Sequence, residues 1–345
     1  MKIASFFSGA GGLDLGFSNA GFELVFANDN WKGCWETFEK NHGIPISKKS
    51  IAKIEADEVP DVVGFVGGPP CQSWSLAGAM RGMKDSRGRV FYDYVRLIRE
   101  KQPLFFLAEN VAGILSKRHI GEFMKIVNSF KKIGYNVSFK LLDAKDYGVP
   151  QERKRVFIVG YHEKMGKKFT FPIPKRKKLS LKDAIGGLVE PMPATKKNKA
   201  NGDLDVPNHE YMNGGFSTIY MSRNRVRNWD EPSFTIQAGG RHAPCHPQAP
   251  RMKFVEKDKM KFVEGKESLY RRLSVRECAR IQTFPDDFIF KYDSIADGYK
   301  MIGNAVPVKL AEALAAKIMQ DLRAVKGEKC QTNSTRKQEV QLCLR

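Results

Sequence analysis

Short apolar segments alternate with amphipathic ones over the first half of the chain, and no other feature limits the possible folds as strongly. The apolar segments are IASFF, FELVFAND, VVGFVGG and LFFLAEN, and the amphipathic segments that follow them in turn are LDLGFSNAG, WETFEKNHG, RVFYDYVRLIREK and EFMKIVNSFKKIG. Strands that alternate with helical crossovers form a mostly parallel sheet, and continuously apolar strands are typical of a sheet covered on both faces. The sequence therefore predicts an α/β fold.

The composition of the chain changes after this pattern. The segments KKFTFPIPKRKKLS and EPMPATKKNKANGDLDVPN are rich in Pro, Lys and Asn. We therefore expect a first domain at 1–165 and a smaller, mixed, loop-rich domain at 166–288. The segment DGYKMIGNAVPVKLAEALAAKIMQDL ends in an amphipathic helix, and it predicts a return to the first domain over 289–325. Residues 326–345 have no core-forming pattern and are expected to be disordered.

Composition limits the partners of the chain. The formal net charge is +20, which favours a polyanionic partner, although a lysine-rich protein without such a partner remains an alternative. No apolar run is long enough to cross a membrane, and the N-terminus has no secretory signal, so we expect a cytoplasmic protein. The six cysteines include no CxxC pair, and the sequence predicts neither a metal site nor a disulfide framework.

A glycine turn and an acidic residue indicate a nucleoside cofactor. FSGAGGLDLG places Gly9, Gly11 and Gly12 between the first strand and the first helix, where the backbone can approach a ligand closely. Asp29 follows Gly9 by twenty residues at the end of the second strand, and an acid there can accept from both ribose hydroxyls. The pattern is not a full GxGxxG, and an ordinary tight turn beside a solvated acid remains possible.

Cys71 follows two prolines at the carboxyl end of the fourth predicted strand, where open α/β sheets present ligands. Pro69 and Pro70 restrict the backbone, which favours a nucleophile over a buried structural cysteine. Glu109 ends the next strand, and a carboxyl buried there can donate a proton, although a helix cap or a surface acid is the alternative.

The segment QERKRVFIVG predicts a strand that places Gln151, Arg153 and Arg155 on one face by the two-residue period of a strand. Two inward arginines at the edge of a sheet favour anion recognition. A solvated basic strand is the alternative.

The motifs FSGAGG, GGPPCQSWS, ENV, QERKR, RRLSVRECARIQTFPDDF and GNAVP stand in the order found in the DNA (cytosine-5) methyltransferases, and the chain resembles that family. Residues 207–250 are also similar to the HaeIII-type modification enzymes, which methylate the inner cytosine of GGCC. The resemblance implies a Rossmann-like S-adenosylmethionine-dependent methyltransferase sheet with a target-recognition domain, and 5-methylcytosine in double-stranded DNA as the product.

The resemblance implies S-adenosyl-L-methionine as the cofactor, held by residues from both ends of the chain. These residues are Phe7, Ser8, Gly9, Ala10, Gly11, Asp29, Asn30, Ser50, Ile51, Pro69, Asn304 and Val306. Ser50 departs from the pattern, because the family often has an acid at this position to contact the adenine amino group. We therefore expect a weaker contact there.

In the implied reaction the thiolate of Cys71 adds to C6 of cytosine, Glu109 binds N3 and the amino group, and Arg153 bridges Cys71 and the carbonyl oxygen of the base. Because C6 is inaccessible in stacked DNA, the cytosine has to swing out of the duplex. The implied DNA contacts are Ser73, Ser75, Arg87, Arg155, Arg223, Arg225, Arg227 and Arg241. Arginine pairs well with guanine, but contact with phosphate is an equal alternative for each arginine of the recognition segment. The block from Arg271 to Arg280 is expected to be a structural, salt-bridged helix.

These features together predict a bacterial modification enzyme that acts as a monomer near the nucleoid and shares its site, without direct contact, with a cognate restriction endonuclease. Two alternatives remain. A tRNA cytosine-5 methyltransferase on the same scaffold is disfavoured by the arginine-rich insert, and a catalytically silent DNA-binding protein is disfavoured because Cys71, Glu109 and Arg153 are all present.

Overall fold

A six-stranded sheet forms the centre of the molecule, in a computed structural model that describes residues 1–70, 86–202 and 204–342. The strand order is β2-β1-β3-β4-β6-β5, and β6 runs in the direction opposite to the other five strands. The strands are β1 (Lys2–Phe6), β2 (Glu23–Asn28), β3 (Gly64–Gly67), β4 (Phe105–Val111), β5 (Tyr135–Asp143) and β6 (Lys154–His162). The predicted mostly parallel α/β sheet is confirmed.

Helices cover both faces of this sheet, as the apolar strands predict. The helices are α1 (Gly12–Asn19), α2 (Trp35–His42), α3 (Ser86–Lys101), α4 (Ile120–Lys132), α5 (Leu181–Ile185), α6 (Val275–Ile281), α7 (Ile295–Asn304) and α8 (Val308–Leu342). Side chains of α1 and α8 form one apolar cluster with the sheet, and side chains of α3 and α4 form another. Among the described residues, no helix has the length and apolar character needed to span a membrane.

The strand that precedes Cys71 is the third in the chain, and its prediction as the fourth was wrong. The segment from Ser47 to Lys53 adds no strand, because it makes only a single bridge to β2, between Asn28 and Ser47, and then a 3-10 turn at Ile51–Lys53. Pro45 has no N–H to donate to a neighbouring strand, which keeps this short segment from pairing further.

The C-terminal amphipathic segment forms two helices instead of one. Its backbone leaves the helix at Ala305, where φ is −65° and ψ is 147°, because Pro307 disfavours helical geometry in the residues before it and cannot donate an N–H. The following helix, α8, returns to pack on α1, as predicted. The backbone of 326–342 is helical where the sequence predicted disorder, since extending an existing helix adds one hydrogen bond per residue.

The two lobes meet at positions that differ from the predicted boundaries. Phe169 is buried in the first apolar cluster, and Lys175 N donates to Asp146 O, so the chain leaves the first lobe near Lys175 and not at 165. The second lobe contains the small pairs β7 (Met192–Pro193) with β8 (Glu210–Tyr211) and β9 (Lys253–Glu256) with β10 (Lys259–Lys261). Helices α6 and α7 share one apolar cluster with Ala10, so the predicted boundary at 288 divides a single core.

Candidate active site

The glycine turn is fixed to the end of β2 by a carboxylate. Gly9 N donates to Asp29 Oδ2 at 2.9 Å and Trp31 N donates to Asp29 Oδ1 at 2.8 Å. Phe7, Gly9 and Gly11 all have φ between 55° and 86°, which lets the turn curl back toward Asp29. Burial raises the pKa of Asp29, and the two N–H groups oppose the shift. Each carboxylate oxygen keeps acceptor capacity for a ribose hydroxyl.

The space beside this turn suits a nucleoside cofactor. A Cβ added at Gly9 would meet no atom within 4 Å, whereas one at Gly12 would lie 2.5 Å from Val306 O. The turn is therefore open on one side and closed on the other by the GNAVP segment. Asn304 is exposed and Val306 is buried at this junction.

The other predicted cofactor residues lie around the same sheet edge. Ser8 N donates to Asn28 O at 3.0 Å, and Asn28 Nδ2 donates to the main-chain oxygens of Ser47 and Lys49. Asn28 therefore connects the turn to the segment that contains Ser50. The remaining residues differ in burial, with Asn30 exposed and Ala10, Ile51 and Pro69 buried.

Glu109 lies in β4 opposite Phe157 of β6, and its carboxylate pairs with Arg155. Arg155 Nε is 3.0 Å from Glu109 Oε1. Burial raises the pKa of Glu109, and Arg155 and then Arg153 oppose the shift. A Cβ added at Gly68 would lie 3.5 Å from Glu109 Oε2, so the stem of the GGPPC loop lies against this carboxyl.

The stem of the loop is anchored by the residue next to Glu109. Asn110 is buried, and its Nδ2 donates to Pro69 O at 3.1 Å. The side-chain amide thus fixes the two-proline stem beside Glu109. The predicted site residues Cys71, Ser73 and Ser75 lie outside the described residues. The side chain of Arg87 is also outside them, although its backbone belongs to α3.

The terminal nitrogens of Arg153 bond to the main chain of other segments. Arg153 precedes β6, and its guanidinium is buried against main-chain oxygens, with Nη1 at 2.9 Å from Ile236 O and Nη2 at 2.8 Å from Gly303 O and 3.1 Å from Ala305 O. Arg153 therefore joins the recognition lobe, the GNAVP segment and the sheet. Arg155 forms the ion pair with Glu109, and the catalytic contact of Arg153 with Cys71 stays a prediction.

The alternation that predicted one face for Gln151, Arg153 and Arg155 fails because β6 begins only at Lys154. Gln151 is also buried, and its side chain contacts Gln282 and the N–H of Ile236. A spacing of two residues predicts a shared face only within a strand. The sequence alone has no signal that separates the buried arginine from the one at the site.

Comparison with known proteins agrees with this geometry. The family model for C-5 cytosine-specific DNA methylases matches residues 1–320. The chain belongs to this family. It is 69% identical over 326 residues to the Type II methyltransferase M.MthTI of Methanothermobacter thermautotrophicus, covering 94% of this chain and 99% of the relative. It is 54% identical to the Type II methyltransferase M.FnuDI of Fusobacterium nucleatum, covering 93% and 95%.

Solved structures agree on the fold of the methylase. A putative DNA modification methyltransferase encoded within an E. coli prophage matches with a TM-score of 0.72 at 22% identity, covering 94% of this chain and 99% of that one. A Spodoptera frugiperda DNMT2 structure matches with a TM-score of 0.61 at 18% identity, covering 93% and 99%. The protein is therefore a DNA methyltransferase, and its family implies S-adenosylmethionine as the methyl donor.

Two predicted DNA contacts of the methylase are engaged within the protein. Arg225 is buried, and it donates to Tyr220 O at 2.7 Å and Ile219 O at 2.9 Å while its guanidinium lies over the Tyr220 ring. Arg227 pairs with Glu152 at 2.6 Å and with Glu231 at 3.3 Å. These contacts hold the recognition segment in place, and the DNA contacts of Arg225 and Arg227 stay predictions.

Arg223 and Arg241 of the methylase are exposed and remain candidates for DNA contact. The block that begins at Arg271 is structural, as predicted, although the pairing differs from an i to i+4 pattern. Arg271 makes two 2.9 Å hydrogen bonds to the buried Glu277, six residues on, and Glu277 also completes a capping box with Ser274 at the start of α6.

Proposed function

We propose that the methylase transfers a methyl group from S-adenosylmethionine to C5 of the inner cytosine of GGCC in duplex DNA, as the modification enzyme of a Type II restriction-modification system. The observation that carries the proposal is the buried Glu109–Arg155 pair against the stem of the GGPPC loop. The named relatives are Type II methyltransferases. The proposal of GGCC rests on the resemblance of residues 207–250 to HaeIII-type enzymes in sequence.

The cofactor site is formed by the open glycine turn, Asp29 and the GNAVP segment. Asp29 accepts from the ribose hydroxyls, and the backbone from Phe7 to Gly11 surrounds the methionine part, with Pro69 and Asn304 beside it. Asn30, Ser50 and Ile51 lie toward the base. When bound, the cofactor supplies an electrophilic methyl group next to the target cytosine.

The chemistry on the base uses three side chains. The thiolate of Cys71 adds to C6, which makes C5 electron-rich. Glu109 in its protonated form donates to N3, so that negative charge does not accumulate on the ring, and burial favours that protonated form. Arg155 stabilises charge on the carbonyl oxygen of the base, the role that the sequence assigned to Arg153. Once C5 has formed its bond to the methyl group, loss of the C5 proton to solvent breaks the bond between C6 and the Cys71 sulfur and releases Cys71 by elimination.

The target cytosine reaches this pocket by leaving the duplex. We expect Ser73, Ser75 and Arg87 to contact DNA around the extruded base. Arg223 and Arg241 contact the duplex from the recognition lobe, held there by the internal bonds of Arg225 and Arg227. A cognate endonuclease acts on the same site without direct contact, and the methylase acts as a monomer in the cytoplasm, near the nucleoid.

The test is methyl transfer from labelled cofactor to duplex DNA, followed by nucleoside analysis. We expect label only in 5-methylcytosine, and label in N4-methylcytosine or N6-methyladenine would overturn the proposal.

Cys71→Ser should lose turnover and still bind DNA. Bisulfite sequencing of DNA from expressing cells checks GGCC, and parallel assays with tRNA test the tRNA alternative. Binding without transfer by the wild type would indicate the silent DNA-binding protein.

A further inference from the structure

A pocket of about 220 Å³ opens in the recognition lobe, and the mechanism above does not use it. Its walls include Arg223, Arg225, Phe234, Gln237 and His242, and no Asp or Glu is among its lining residues. A basic pocket without an acid in its lining is suited to an anion.

Four arginines from three segments of the lobe act on His242. Burial lowers the pKa of His242, and Arg225, Arg223, Arg241 and Arg272 lower it further. The imidazole is therefore neutral at neutral pH, and no carboxylate among the described lining residues balances the positive charges around it.

The buried arginines beside the pocket use main-chain oxygens in place of carboxylates. Arg225 donates to Tyr220 O and Ile219 O, and Arg272 donates to Gly215 O at 2.8 Å. Burial raises the pKa of Tyr220, and Cys245, which contacts the Tyr220 hydroxyl at 3.1 Å, has a pKa raised to about 11. Neither of these groups supplies a negative charge at neutral pH.

The wall of the pocket is bonded to the segment that precedes β6, the strand that carries Arg155. Thr235 Oγ1 donates to Glu152 O at 2.6 Å, and Ile236 O accepts from Arg153. Gly303 packs on Gln237, the residue after Ile236, since a Cβ added at Gly303 would lie 2.3 Å from the carbonyl of Gln237. An anion in the pocket thus lies on the same rigid framework as Glu109 and its partner.

We propose that this pocket binds one backbone phosphate of the DNA duplex and that His242 takes up a proton from the buffer as the phosphate enters. The inference rests on the proposed function, because duplex DNA supplies the phosphate. A guanine edge pairs with a free arginine fork, and because two donor groups of Arg225 are already bound to main-chain oxygens, only Arg223 in the pocket lining could offer such a fork. A phosphate requires only converging positive charge and single donors.

Proton uptake gives DNA binding a defined dependence on pH. A phosphate beside the imidazole favours its charged form, so the pKa of His242 is higher in the complex than in the free methylase. Affinity therefore rises as pH falls through the pKa of the complex, and it levels off below the pKa of the free methylase. The steepest rise is one tenfold gain per pH unit for one proton.

The test replaces each phosphate of a GGCC duplex, one at a time, with a neutral methylphosphonate. We expect one linkage at which the wild type loses about ten- to hundredfold in affinity and part of its pH dependence between pH 8 and pH 6. At that linkage, the methylphosphonate should lower the affinity of Arg223→Gln and His242→Gln only slightly, because these variants already lack part of the phosphate contact. His242→Gln should also bind the unmodified duplex without the gain at low pH. Arg323→Gln, an exposed arginine on α8, is the matched control.

A scan in which no linkage couples to Arg223 or His242 would overturn the pocket. A loss that both variants show with the GGCC duplex and not with a scrambled duplex would identify a base-reading pocket, because a phosphate contact weakens all sequences alike. The scan on the wild type needs no folded variant. Methyl transfer to the same duplexes is measured in parallel, so transfer without a linked phosphate rejects the pocket alone and absent transfer rejects the proposed function.

Discussion

At the scale of single residues, the two arginines of QERKR make different contacts, one with the main chain and one with the carboxylate of the proposed active site. Arg153 is buried on three main-chain oxygens, and Arg155 pairs with Glu109. Both arginines look alike in the sequence, because their difference depends on segments more than eighty residues away. A matched pair of substitutions therefore tests the assignment.

We expect Arg153→Met to lower the free energy of unfolding by on the order of 3 kcal/mol or more, since each buried oxygen left without a donor costs about 1–3 kcal/mol. Arg155→Met should unfold close to the wild-type temperature and lose about 10²–10³ in kcat. Urea unfolding and steady-state methyl transfer measure the two effects. The opposite pattern, a stable and inactive Arg153→Met, would return the catalytic role to Arg153.

Arg155 also controls the titration of Glu109. Removing Arg155 takes away the charge that most opposes the raised pKa of Glu109, so that pKa rises further. Because the protonated carboxyl is the active form, the high-pH limb of the residual activity should move to higher pH. We expect the high-pH limb of activity to shift in Arg155→Met and to stay unchanged in Arg155→Lys, since lysine retains the positive charge.

Asp14 is a second residue whose behaviour follows from burial. It lies in α1, and burial raises its pKa to about 7, with a smaller opposing effect from the Ser5 hydroxyl. The unfolded pKa is about 3.9, so Asp14 favours folding at low pH, and this contribution is lost as pH rises toward 7.

We expect Asp14→Asn to unfold at a higher temperature than the wild type at pH 8, with the gain shrinking below about pH 7 and smallest near pH 4. The physical reason is that asparagine carries no charge to bury at any pH. Thermal unfolding of both proteins across this range measures it. A difference that does not change with pH would show that the carboxyl is already neutral or solvated.

At the scale of elements, the glycine turn combines two different requirements in five residues. An added Cβ at Gly11 would lie 1.9 Å from the His42 ring nitrogen, whereas the space beside Gly9 is open. Gly11 is required by the fold, because the His42 ring fills the space behind the turn. Gly9 is required by whatever occupies the open side.

We expect Gly9→Ala to keep most of the stability and lose cofactor affinity, because its methyl group enters the open space, and Gly11→Ala to lose stability first. Both residues have positive φ, which costs about 1–2 kcal/mol for alanine, so the contrast between them isolates the contact. Thermal unfolding and calorimetric binding of S-adenosylmethionine measure the two effects. Equal stability and equal affinity in the two variants would contradict the assignment.

Elements with a strong period were predictable from the sequence, and those set by distant contacts were not. The strands at Lys2–Phe6 and Phe105–Val111 and the helix at Ser86–Lys101 follow directly from their apolar patterns. The strand before Cys71 was predicted as the fourth and is the third, because a local pattern cannot show that the segment from Ser47 to Lys53 forms only one bridge. The burial of Arg225 was also unpredictable, since it depends on the carbonyls of a 3-10 turn at Tyr220–Ser222.

At the scale of the whole molecule, the return of the chain connects both lobes to the cofactor side. Helix α8 packs on α1, and an added Cβ at Gly16 would lie 2.4 Å from Ala311 Cβ. The same return places Gly303 and Ala305 on Arg153 and Val306 on the glycine turn. The order of the motifs predicted this return, but only the fold shows that a single arginine joins all three parts.

The net charge of +20 belongs to this largest scale, because it acts on DNA before any single contact forms. We expect KM for DNA to rise with salt at a log-log slope of about 0.9 for each phosphate contacted, since binding releases counterions from the duplex. KM for S-adenosylmethionine should change far less, because no phosphate is involved, and it serves as the internal control. Steady-state kinetics between 50 and 200 mM salt give both values, and a flat response for DNA would mean that the charge serves solubility instead of phosphate contact.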